Sequence, residues 1–135
     1  MITIIVSRYN EDISWLYTVA DNILLEKILI FNKGNNDIKS NHYKIQIKKV
    51  PNTGREGGTY LDYIIDNYGN FPENLIFTQA DPFDHNEEFL NLFNYETIKY
   101  IIKNKDFLSL TRYYKKYWPC TIGKYYNSCI LNDFI

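Results

Sequence analysis

The chain opens on Ile2-Thr3-Ile4-Ile5-Val6, a continuous β-branched run with no polar alternation. That is the pattern of a strand covered on both faces, so the run is expected to lie in the centre of a sheet with layers packed on each side. The segments that follow keep to such a plan. Polar Arg8-Tyr9-Asn10-Glu11 precedes Asp12-Ile13-Ser14-Trp15-Leu16, where Asp12 is the acidic cap candidate of a short helix. A second strand is expected over residues 27–31, closed by a turn at Asn32-Lys33-Gly34-Asn35. Residues 43–50 alternate, with Tyr43, Ile45 and Ile47 on one face and Lys44, Gln46 and Lys48 on the other, which places them towards a sheet edge.

Glycine-rich Pro51-Asn52-Thr53-Gly54-Arg55-Glu56-Gly57-Gly58 then feeds a helix expected over residues 59–68, with Leu61, Ile64, Ile65 and Tyr68 as its apolar stripe. Gly69-Asn70-Phe71-Pro72 ends it, and residues 74–78 read as the next buried strand. Residues 87–103, with Asn86 as cap, read as one helix or as two broken near Asn94. The tail from Asp106, with Arg112-Tyr113-Tyr114-Lys115-Lys116-Tyr117-Trp118, gives no firm element, and packing rather than ligand stacking is expected of its aromatics. Alternating strands and helices imply an α/β fold, a mostly parallel twisted sheet flanked by helices, whose ligands would bind at the carboxyl ends of the strands.

Composition narrows the partners. At 135 residues with 45% hydrophobic and 23% charged residues, the chain is expected to form one globular domain. A net charge of -1 supplies no general field for nucleic acid or anionic lipid. The apolar N-terminal run is far shorter than a membrane span, so a cytoplasmic protein is expected. Cys120 and Cys129 form neither a Cys-x-x-Cys motif nor a zinc set and read as reduced thiols.

Three polar loops follow expected strands, at residues 8–12, 52–58 and 79–85. Asp81, Asp84 and His85 offer oxygen and imidazole ligands suited to Mg²⁺ or Mn²⁺ beside a diphosphate, or else Asp81-Pro82 starts a turn and Asp84 caps a helix. The glycine-rich loop offers backbone N–H groups and the Arg55 guanidinium to a phosphate, or is a plain turn with an Arg55–Glu56 charge pair. Arg8, Asn10 and Glu11 are suited to hydrogen-bonding a base or ribose, or to shaping a turn at a helix start. His42 reads as solvated surface.

Taken together, Ser7-Arg8-Tyr9-Asn10-Glu11-Asp12-Ile13-Ser14-Trp15-Leu16, Phe31-Asn32-Lys33-Gly34, the glycine-rich loop through Leu61, and Phe77-Thr78-Gln79-Ala80-Asp81-Pro82-Phe83-Asp84-His85 resemble a domain-of-unknown-function family, DUF3431. The same plan is more loosely similar to the GT-A glycosyltransferase core: a first strand ending in Tyr-Asn-Glu, a Gly-Arg loop before a helix, and a strand ending in an Asp-x-Asp metal motif. That resemblance implies a nucleotide-sugar donor, with Tyr9, Asn10 and Glu11 lining the nucleotide pocket, Arg55 near the diphosphate and Asp81 binding Mn²⁺ or Mg²⁺. It implies Asp84 as the base towards a glycan, protein or small-molecule acceptor. Gln79 stands where the motif has its first aspartate. A single GT-A-like domain over 1–135 without the usual acceptor-binding half is the expected arrangement. Metal-assisted phosphoester or nucleotide hydrolysis, and a non-catalytic binding module, are the competing expectations.

Overall fold

A computed structural model describes residues 1–104. The expectations for the aromatic tail and for Cys120 and Cys129 lie outside the described residues. The chain divides into two compact units, Met1–Asp81 and Pro82–Ile135.

The first unit is a four-stranded, wholly parallel sheet with two helices. Its strands are β1 (Ile2–Arg8), β2 (Leu25–Asn32), β3 (Ile45–Lys49) and β4 (Asn74–Gln79); helix α1 (Ser14–Ala20) joins β1 to β2, and α2 (Arg55–Asp66) joins β3 to β4. The order across the sheet is β3-β2-β1-β4, with Arg8 beside Asn32 and Ser7 beside Gln79 in register. As its unbroken β-branched run predicts, β1 is central and every one of its residues is buried. Ile2, Ile4, Ile5 and Val6, with Leu16, Leu25, Ile28 and Ile30, form the fully buried core.

The connections β1-α1-β2 and β3-α2-β4 cross the sheet in opposite directions. Right-handed crossovers therefore put α1 and α2 on opposite faces, which is why β1 needs apolar side chains on both. Alternation follows from the pleat: the Ser7 hydroxyl meets the Thr59 hydroxyl of α2 at 3.1 Å, while the Arg8 side chain turns the other way and reaches Glu11 ahead of α1. Trp15 of α1 donates its indole N–H to the Ala80 carbonyl at 2.8 Å and so fastens the helix to the end of β4.

Several expectations need correction. Asp12 sits one residue before the cap position, which Ile13 occupies; its carboxylate accepts from the Ser14 N–H and hydroxyl, serving the same first turn from outside. β4 is expected to be buried, yet it is a border strand among the described residues and Leu75, Ile76 and Phe77 are only half-buried. α2 begins at Arg55, inside the segment expected to be loop, because Gly54 takes the left-handed conformation that starts the helix early.

The buried face of α2 also differs from the expected stripe. Thr59 and Tyr63 are buried, while Leu61, Ile65 and Tyr68 are exposed. Tyr60 and Tyr63 meet the Phe77 ring at 5.2 and 6.1 Å, and Tyr63 meets Phe31 edge-on at 6.3 Å. Tyrosine can serve as a core residue here because its ring fills the space over the sheet.

Burial, with the Glu56 carboxylate adding to it, pushes the Tyr60 phenol above its ordinary value of 10.0, and burial alone raises Tyr63. A folded-state value above the unfolded one stabilises the fold fully below pH 10.0, and that stabilisation is lost as the pH rises and the unfolded chain ionises first. Denaturant midpoints are expected to fall as the pH passes 10.0, and to fall less in Tyr60→Phe. An equal fall in that variant would remove Tyr60 as the cause.

In the second unit, a 3-10 helix (Phe89–Phe93) is followed by α3 (Tyr95–Asn104), so of the two arrangements left open the broken one, with its break at Asn94, is found. Phe89 and Phe93 pack edge-on at 5.7 Å, and the Asn94 side chain accepts from the Glu96 N–H at 3.1 Å. Among the described residues, no helix is long and apolar enough to cross a membrane.

Candidate functional site

A parallel sheet delivers all its carboxyl ends to one edge, so the segments after β1, β2, β3 and β4 gather there. The turn after β1 is built around Arg8, which is 5% exposed. Its Nε donates to the Glu11 carbonyl at 2.9 Å; Nη1 donates to the Tyr9 carbonyl at 3.1 Å and to Asn32 Oδ1 at 2.9 Å. Among the described residues, Nη2 donates to nothing and no carboxylate forms an ion pair with Arg8. Because no buried side-chain nitrogen is left unpaired among the described residues, Nη2 reaches solvent.

Asn32 is the hub of this edge and is 2% exposed. Its Oδ1 accepts from Arg8 and from the Gly34 N–H at 3.2 Å, and its Nδ2 donates to the Asn36 carbonyl at 2.7 Å. Gly34 lies so close to the first turn that a Cβ there would stand 1.6 Å from the Tyr9 carbonyl oxygen. Lys33 is also nearly buried; its Nζ donates to the Thr53 carbonyl at 2.6 Å and to the Arg55 carbonyl. Its own N–H donates to the Arg8 carbonyl at 2.7 Å, so the ends of β1 and β2 and the start of α2 are tied together. Lys49 at the end of β3 reaches the Gly34 carbonyl and, at 3.5 Å, Asp37.

The expected site residues fall as follows. Tyr9 and Asn10 are exposed on the turn after β1. Glu11 places one carboxylate oxygen 2.6 Å from the Tyr9 N–H, so it shapes the turn. Asp12 is held below the ordinary carboxylate range first by its bonds to Ser14, with a smaller contribution from the Arg8 charge. Arg55 follows Gly54 and shares its positive φ, 49° against 67°. That backbone turns the Arg55 carbonyl to Lys33, while its side chain is exposed and makes no hydrogen bond or ion pair. Gln79 does not stand in for a metal ligand; its amide donates to the Asp81 backbone carbonyl at 2.8 Å.

Asp84 and His85 are exposed residues of a turn in the second unit, where the Pro82 carbonyl accepts from the His85 and Asn86 N–H groups at 3.1 and 3.0 Å. Buried Asn86 accepts from the Glu88 N–H at 3.1 Å, but it is not the expected helix cap: Glu87 and Glu88 form a turn, and Glu88 holds the cap position of the 3-10 helix. Among the described residues, no group of three or more His, Cys, Asp or Glu side chains is placed to hold a metal ion. No step below passes through a divalent cation.

Sequence reasoning missed Asn32 and Lys33, which it read as turn residues. Their only signal was two polar residues directly after an apolar strand. A polar residue at the carboxyl end of a parallel strand faces the site edge, whereas one in an ordinary turn faces water.

No curated protein and no solved structure matches the chain. A family model matches residues 3–116, spanning the whole edge just described, and the chain accordingly belongs to the family described as Protein of unknown function (DUF3431).

Proposed function

We propose that the carboxyl edge of the first unit binds a nucleotide-diphosphate sugar and that the protein is a glycosyltransferase-like enzyme. The observation that carries this reading is the strand order. In β3-β2-β1-β4 the chain winds outward in both directions from β1, so a topological switch point lies between β1 and β4. Crevices at the carboxyl ends beside such points are where open parallel sheets bind their ligands.

The groups around it suit a nucleotide diphosphate. The exposed Tyr9 ring and Asn10 amide offer stacking and hydrogen bonds to a nucleoside. The unpaired Arg55 guanidinium, beside the glycine-rich start of the 12-residue α2, suits the diphosphate. In transfer, cations at this edge would stabilise the charge growing on the departing nucleoside diphosphate. Asp81 follows β4 on the other side of the switch point.

A thermal-shift series with UDP-, GDP- and dTDP-sugars, each with and without Mn²⁺, tests the reading. A ligand that binds only the native state stabilises it by about 2.7 kcal/mol at a hundredfold excess over Kd. Stabilisation by one nucleotide, reduced in Arg55→Ala and in Asp81→Ala, is the expected result. Folded protein indifferent to the whole series would reject it in favour of a non-catalytic module, and phosphate release without an acceptor would favour a hydrolase.

A further inference from the structure

Arg8 carries a charge that the described chain does not balance. It is 5% exposed, and its three acceptors are two backbone carbonyls and the Asn32 amide oxygen, all neutral. Guanidinium groups are seldom this buried without an anionic partner, because removing a cation from water is repaid only by an opposite charge. Asp12, the carboxylate whose acidity Arg8 influences, is exposed and engaged by Ser14, and forms no ion pair with it. Lys33, 8% exposed and bonded to two carbonyls, is a second nearly buried cation with no ion pair, at the end of the neighbouring strand.

The way Arg8 is held matters as much as its charge. Nε and Nη1 are locked by bonds on three sides, which fixes the guanidinium plane. Both N–H groups of Nη2 remain unpaired and reach solvent at the carboxyl edge. Donors fixed in advance lose little freedom on binding, and Nη2 presents a charge-assisted N–H to an oxyanion oxygen.

We propose that Arg8 anchors an oxyanion site that takes a phosphate group directly, without a bridging metal. The proposal goes beyond the nucleotide-sugar reading, because the site takes a phosphate whatever carries it. A purely structural role for Arg8, clamping the turn after β1, would alter stability and leave no anion dependence.

The test uses the full chain in metal-chelating buffer, titrated with inorganic pyrophosphate while the arginine Nε–H resonances are followed by NMR. Arg8 is assigned by the resonance lost in Arg8→Lys. A saturable displacement of that resonance is expected, with affinity at least about tenfold weaker in Arg8→Lys, which keeps the charge but loses the bonds that fix the donor in place. Lys39→Gln, which removes an exposed charge elsewhere, should change the affinity less than about twofold. An unmoved Arg8 resonance in folded protein would overturn the proposal, as would equal displacement by malonate, which would assign the site to carboxylates.

The wild-type titration does not depend on any variant folding. Pyrophosphate binding at Arg8 with indifference to sugar nucleotides keeps this site and rejects the donor reading. Stabilisation by a sugar nucleotide that leaves Arg8 unmoved does the reverse.

Discussion

Gly34→Ala is expected to destabilise the first unit by about 3 kcal/mol, measured as the loss in unfolding free energy by denaturant titration. The cause is a collision with backbone rather than with a side chain that could swing away. An added Cβ would stand 1.6 Å from the Tyr9 carbonyl oxygen and 2.5 Å from its carbon, so the whole turn after β1 must retreat. That turn supplies the Tyr9 and Glu11 carbonyls that hold Arg8, and Gly34 itself donates its N–H to the Asn32 oxygen that holds it from the other side. The same substitution should therefore weaken pyrophosphate binding at Arg8. A loss below about 0.5 kcal/mol, the scale of an ordinary surface change, would show that the two turns do not approach as described.

A paired comparison on α2 has the next largest effect. Tyr63→Ala should cost about 3–4 kcal/mol, the range for deleting a buried aromatic ring, because Tyr63 is 6% exposed and lies against Phe31 and Phe77. Ile65→Ala, one half-turn further along, should change stability by about 0.5 kcal/mol or less, since Ile65 is 67% exposed. Equal losses, or a larger loss at Ile65, would mean that the face made by Leu61, Ile65 and Tyr68 is the one packed against the sheet.

That comparison marks where a sequence reading of this chain fails. Two helical stripes compete on α2: Leu61, Ile64, Ile65 and Tyr68 are the more apolar by type, while Thr59, Tyr60 and Tyr63 are the ones turned to the sheet. Periodicity detects that a stripe exists, but when tyrosines form the second stripe it does not choose between them. The first turn of α2 was misplaced for a related reason. Glycines normally mark loops, yet Gly57 and Gly58 lie inside the helix, where Gly58 packs against the Thr53 carbonyl.

The elements themselves were legible, and so was their plan. β1 announces its central place through five consecutive residues able to pack on both sides. β3 announces its edge place through polar residues on its outward face, Gln46 and Lys48. The break at Asn94 was legible because a short polar side chain at a helix start competes for local N–H groups.

What the amino-acid order determined by itself, then, is whatever depends on near neighbours: strand or helix, central or edge, capped or broken, and through the parallel order the edge at which the polar loops collect. Tertiary structure decided the rest. Asn32 became a hub by meeting Arg8, 24 residues away, and Trp15 found its acceptor 65 residues on at Ala80. The unbalanced charge on Arg8 is likewise a property of what surrounds it in space. Burial and pairing are set by groups distant in the chain, and a nearly buried cation held only by neutral oxygens is recognisable once those groups are in place.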